Sequence, residues 1–146
     1  MSTTGLEVFD KTLQTTHIWL DEVMDITGPD RHVAWHVLGA VLRSLRDRLP
    51  PELGAHLAAQ LPLLVRGAYY DQYRPGQTPT RIYSEDEFLA SVTAQLGGTR
   101  PVNVRDAARS VFAVLDRHVT PEQIAKVTQS LPPHIRALWI GGGETG

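Results

Sequence analysis

The chain has 146 residues, 42 % of them apolar and 21 % charged, with a net charge of −2 and no cysteine. That length suffices for a buried core, and the missing cysteines exclude a disulfide framework, a thiolate metal site and a cysteine nucleophile. The slightly acidic balance gives no basic coat for nucleic acid, the first residues lack the basic and apolar stretches of a signal peptide, and the apolar runs are too short to span a membrane, so a soluble, cytoplasmic protein is expected.

In chain order, Phe9, Leu13, Ile18, Trp19, Val23 and Ile26 recur at helical spacing and predict a first helix that stops near Gly28-Pro29. Val33, Val37, Val41, Leu45 and Leu49 repeat every four residues, and Ala34, Leu38 and Leu42 widen the stripe into one apolar face of a second helix. Pro50-Pro51 closes it. Leu53, Leu57, Leu61, Leu64 and Val65 mark a third helix that Pro62 breaks or kinks. The segment from Asp71 to Tyr83 holds Pro75, Gly76 and Pro79 and reads as a linker or surface loop. Ser84 with Glu87 has the form of a reciprocal capping box, and Thr120-Pro121-Glu122-Gln123 repeats that logic with proline in the first helical position. Asn103 with Asp106 is a weaker start signal. No stretch alternates long enough for a strand. The glycine-rich tail, residues 141–146, is expected to be flexible.

Shifted by 70 positions, the chain aligns with itself without a gap. Between positions 41 and 66, eight of 26 residues are identical, including Val41 with Val111, Leu45 with Leu115, Leu61-Pro62 with Leu131-Pro132 and Arg66 with Arg136. Chance gives roughly two. Ile18 with Phe88 and Tyr69 with Trp139 keep their apolar character. The expected architecture is all-α: two tandem pseudo-repeated units (about 9–70 and 84–140, joined by 71–83), six to eight helices packed as one bundle over residues 1–140. Each unit alone is too small to bury much surface.

The repeated residues also carry a resemblance. The phrases THIWL (Thr16 to Leu20), AVLRSLRDRLP (Ala40 to Pro50), QLPLLVRGAYY (Gln60 to Tyr70), SVFAVLDRHVT (Ser110 to Thr120) and LPPHIRALW (Leu131 to Trp139) resemble, in that order, the DUF2267 family of small bacterial helical proteins of unknown function. The resemblance covers about Phe9 to Trp139. It implies an all-helical bacterial protein and no particular reaction, so no functional residue is carried over from it. Twelve arginines against two lysines agree with a GC-rich bacterial genome.

Read from the residues themselves, the chemistry is sparse. His32 and His36 share a helical face and are weak metal candidates, lacking the HExxH pattern; two surface imidazoles are the plainer account. His17 and Asp21 also share a face, without a nucleophile in a recognisable setting. Arg66 with Tyr69 and Arg136 with Trp139 occupy equivalent points of the two units and could grip an anion or ligand at the seam; the plainer account makes the aromatics core and the arginines ties between units. Tyr69, Tyr70 and Tyr73 with Arg74 form an aromatic-basic cluster entering the loop, as interfaces do. Arg43, Arg46 and Arg48 with Asp47 mix signs, so a solvated face is expected there rather than a DNA reader. No cofactor motif is present.

The preferred expectation is a non-enzymatic interaction module that binds a protein partner or itself. The alternatives are a binder of a small anionic or apolar ligand between the units, near Arg66 and Arg136, and then a metal-dependent enzyme or a DNA binder. Neither a membrane nor a nucleic acid is the expected partner.

Overall fold

The computed structural model describes residues 3–98 and 101–141. Among them, eight α-helices and no strand occur: α1 (Glu7–Thr27), α2 (Arg31–Asp47), α3 (Pro51–Ala58), α4 (Leu63–Tyr70), α5 (Glu85–Leu96), α6 (Val104–His118), α7 (Pro121–Ser130) and α8 (Pro133–Gly141). A short 3-10 turn, Pro75–Gln77, interrupts the loop between α4 and α5.

Local chemistry sets the boundaries. Thr4 opens the chain into α1, donating both its backbone N–H and its hydroxyl to Asp10 Oδ1. Gly28 ends α1 with φ +108°, a conformation glycine adopts without steric cost, and its N–H bonds Met24 O. Asp30 caps α2 by accepting from the N–H groups of His32 and Val33. Proline does more at position 62 than kink a helix: α3 ends at Ala58 and α4 begins at Leu63, because Pro62 has no N–H to donate within a continuing helix. The box at Ser84 is complete, with Glu87 N–H donating to Ser84 Oγ and Ser84 N–H to Glu87 Oε1. The backbone N–H groups of Ser84 and Tyr83, both donating to its carboxylate, hold the Glu87 carboxyl below its ordinary pKa. Asn103 caps α6 by accepting from Asp106 N–H. Gly141 is the last residue of α8, and the remainder of the expected flexible tail, 142–146, lies outside the described residues.

Thr120 caps α7, with a difference from the expected box. Its Oγ1 accepts from Gln123 N–H at 3.4 Å, but its own N–H donates to Gln60 Oε1 at 2.9 Å, and Gln60 Nε2 donates back to its hydroxyl at 3.1 Å. A glutamine 60 positions away fills the role that Gln123 was expected to fill. Thr120→Ala therefore removes a cap and half of a tie between α3 and α7. Thermal unfolding is expected to show a loss of about 0.5–2 kcal/mol; an unchanged midpoint would mean that Gln60 alone holds this junction.

The core is one buried cluster drawn from both halves of the chain. The predicted stripe, Val33, Val37, Val41, Leu45 and Leu49, is buried throughout, although α2 ends at Asp47 and Leu49 follows it in the turn. The α1 stripe is not. Trp19 and Val23 are buried, with Thr12, Thr16 and Leu20 completing the inner face, whereas Phe9, Leu13, Ile18 and Ile26 are exposed. Packing runs within and between the halves: α1 lies against α2 and α6, α2 against α5 and α6, and α3 against α7. The cross-half contacts pair α1 with α6, α2 with α5, and α3 with α7. At the offset of 70, Val41 and Val111, Leu45 and Leu115, Leu57 and Val127, Leu61 and Leu131, Val65 and Ile135, and Tyr69 and Trp139 are buried alike. Ile18 and Phe88 are not alike: the first is 45 % exposed and the second fully buried.

Candidate functional site

The two Arg–aromatic pairs serve the fold. Arg66 Nη2 donates to Leu61 O and Ala59 O, and Arg136 Nη2 donates to Leu131 O and Gln129 O. These acceptors are again 70 positions apart, so each guanidinium closes the same helix-to-helix turn in its own half. Arg136 Nε adds Thr128 O. Both aromatics are buried. Tyr69 donates its hydroxyl to Gly54 O at 2.9 Å, and burial pushes that hydroxyl well above the usual phenol range, which keeps it a neutral donor. Trp139 stacks on Phe112 with centroids 4.4 Å apart and donates Nε1–H to Asp116 Oδ1. Burial raises the Asp116 carboxyl and this bond opposes the rise. Arg66 and Arg136 line separate surface grooves, one with α1 and one along α8.

The tyrosine cluster opens onto a feature the sequence concealed. Tyr69, Tyr70 and Tyr73 touch in series, with centroids 5.2 and 5.5 Å apart. Arg46 lies over the Tyr73 ring, 5.0 Å from its centroid. Far from sitting on a solvated face, Arg46 is 3 % exposed. It donates Nη1–H to Tyr69 O at 2.8 Å and Asp71 O at 2.7 Å, and Nε–H to Asp47 Oδ1 at 2.9 Å. Arg48, also buried, donates to Thr80 O at 2.7 Å, while Thr80 N–H donates to Asp47 O. Together the last turn of α2 pins both ends of the loop after α4. Between these pins, Asp47, Gln72, Arg74, Gln77, Thr78 and Thr80 enclose a cleft of about 80 Å³. Every side chain lining it is polar.

The remaining candidates do not converge. His17, Asp21, His32 and His36 are exposed, and no hydrogen bond or ion pair joins any two of their side chains. Among the described residues no three His, Asp or Glu side chains gather as a metal site would need. A histidine the sequence did not single out does find a carboxylate: His118 Nε2 is 3.0 Å from both oxygens of Glu22, with Arg117 on the same carboxylate and Trp19 stacked on the imidazole at 5.2 Å. Among the described residues, no hydroxyl is hydrogen-bonded to this imidazole. The cluster ties α1 to α6 across 96 positions of sequence, beyond the reach of any spacing rule.

Several exposed apolar side chains lie at the start of α1 and the start of α4. Val8 and Leu63, about half exposed, line a groove of about 230 Å³ with Lys11, Thr12, Thr15 and Arg66, and Leu64 N–H reaches Thr12 Oγ1. Phe9 stands seven positions before Thr16 and therefore points with the core-facing line, yet it is 47 % exposed. The first turn of α1 thus overhangs the core, whereas Thr12 in the second turn is buried and meets α4. Helix α5 has no such overhang, since its first residue, Glu85, matches Thr15 at the offset of 70.

These features define a class: an all-helical protein whose recurring arginines, Arg66 and Arg136, are hydrogen-bonded to its own backbone and which leaves a group of apolar side chains on α1 and α4 exposed. The chain belongs to the family described as "Uncharacterized conserved protein (DUF2267)", which it matches over residues 16–138. The overhang of α1 lies before the matched segment. No curated protein matches the chain. None of the described helices is long and apolar enough to cross a membrane.

Proposed function

We propose that the protein is a non-enzymatic interaction module that pairs with a second copy of itself through the α1 overhang and the adjoining start of α4. The observation that carries this reading is the uncovered side of α1's first turns: Phe9 faces as the core residues do but is left 47 % exposed, and Val8 and Leu13 on α1 and Leu63 and Leu64 on α4 are exposed as well. Apolar side chains grouped in this way mark association surfaces more often than scattered ones do. The rim carries both signs, with Glu7 and Asp10 in the first turn and Lys11 and Arg66 at the groove. A patch with both signs on its edge complements an inverted copy of itself, which is the requirement of a twofold interface.

The test is sedimentation across a wide concentration range for the wild type and for Phe9→Asp. The wild type is expected to dimerise and the variant to stay monomeric with unchanged helicity and unfolding midpoint, since Phe9 adds little to the core. A wild type that remains monomeric throughout, or a variant that dimerises as well as the wild type, would overturn the reading.

A further inference from the structure

The cleft at the end of α2 has the makings of a binding site independent of the association surface. Its frame is fixed before any ligand arrives. Arg46 and Arg48 hold the carbonyls of Tyr69, Asp71 and Thr80, so the loop cannot sag away from α2. Its chemistry is unspent. Asp47 gives one carboxylate oxygen to Arg46, and its other oxygen makes no hydrogen bond among the described residues. Arg74 is exposed and its guanidinium makes none either. The Thr80 hydroxyl is buried without a partner, an arrangement that proteins seldom leave unexplained. Gln72, which adds an amide to the wall, is held at φ +59°, and no other described non-glycine residue has a positive φ. Such strained backbone is enriched at ligand sites.

We propose that this cleft binds the head group of a free α-amino acid. The two ends of the site differ in sign. Asp47 closes the C-terminal end of α2, where the helix dipole is negative and a carboxylate is least at home, so this end favours an ammonium. Arg74 offers a planar fork suited to a carboxylate. The ammonium sits against the free oxygen of Asp47, with the Thr80 hydroxyl turning about χ1 to accept a second N–H bond from it. The carboxylate takes Arg74, and the amides of Gln72 and Gln77 bond its remaining lone pairs. A volume of about 80 Å³ suits this five-atom head group and no large side chain, so the side chain of the ligand points out of the mouth. The site is thus selective for the zwitterion and tolerant of its substituent.

Titration with glycine, followed by amide chemical shifts, tests this directly. Saturable shifts are expected at Asp47 and through residues 72–80, and neither acetate nor methylammonium alone should reproduce them. Arg74→Gln leaves an exposed position exposed and is expected to weaken glycine at least about tenfold, the loss of one charge-assisted hydrogen bond. Gln77→Ala serves as a second variant with a smaller loss, and an unchanged spectrum outside the cleft shows that both fold. Absence of saturation with glycine, equal shifts from acetate alone, or glycine shifts indifferent to Arg74→Gln would each overturn the proposal. None of these outcomes depends on whether the chain dimerises.

Discussion

Arg46→Met is expected to lower the folding stability by about 3–5 kcal/mol, the range for removing one member of a buried, charge-assisted network. The side chain is nearly inaccessible and makes three hydrogen bonds, two to main-chain carbonyls and one to Asp47. Methionine matches its stem and not its donors. The carbonyls of Tyr69 and Asp71 then lose their partner while still held against the protein, and Asp47 is left with an uncompensated charge at the wrong end of a helix. The contact with the Tyr73 ring goes as well. In a chain of this length the melting temperature should fall by roughly 10 °C or more. Arg46→Lys should recover little, because a single ammonium cannot span the positions that the Nε and Nη1 donors occupy. Chemical denaturation of the three proteins measures this. A loss below about 1 kcal/mol for the methionine variant would mean that the loop lifts and lets water reach its carbonyls.

Arg46 also shows where sequence reading stops. A stripe such as Val33, Val37, Val41, Leu45 and Leu49 is legible because burial of apolar side chains at fixed spacing needs no knowledge of what covers them. The same holds for Ser84 with Glu87, whose partners are three residues apart. Arg46 follows Leu45 in a mixed-sign run, and its burial depends on carbonyls of a loop over 20 positions onward. Glu22 and His118, and Gln60 and Thr120, are likewise joined only by the packing of one half on the other. The opposite error occurred in α1. Phe9 and Leu13 obey the helical period as well as Trp19 and Val23 do, yet Phe9 lies in the exposed first turn and Leu13 is left 38 % exposed beside the buried Thr12. Periodicity reports which way a residue faces, and only tertiary structure reports whether something is there to meet it. The candidate surface is therefore half visible in sequence: Phe9 and Leu13 read as part of a helical stripe, and Val8 and Leu63 fall outside any stripe. The arginine pairs at positions 66 and 136 were visible as a recurring pattern, but the pattern did not distinguish a ligand grip from a brace on the adjoining turn.

Leu45→Ala and Leu115→Ala, made separately, are expected to cost about 2–5 kcal/mol each and to agree within about 1 kcal/mol. We read the two halves of the chain as descendants of one segment, and this pair asks whether the likeness extends to energetics. Both leucines are fully buried, both lie in the second helix of their half, and the neighbours one position on, Arg46 and Asp116, have diverged completely. What each truncation removes is the same set of methyl groups. What differs is how far the surroundings can close over the gap. Around Leu45 the helix α2 meets α1, α4, α5 and α6, whereas α6 has Phe112 and Trp139 stacked beside it, flat rings with few ways to shift. Equal costs would mean that the conserved framework sets the cavity and the divergent neighbours do not. A markedly larger loss at Leu115 would assign rigidity to the stacked rings. A loss at either position no greater than that of a surface substitution, about 0.5 kcal/mol, would contradict its place in the core.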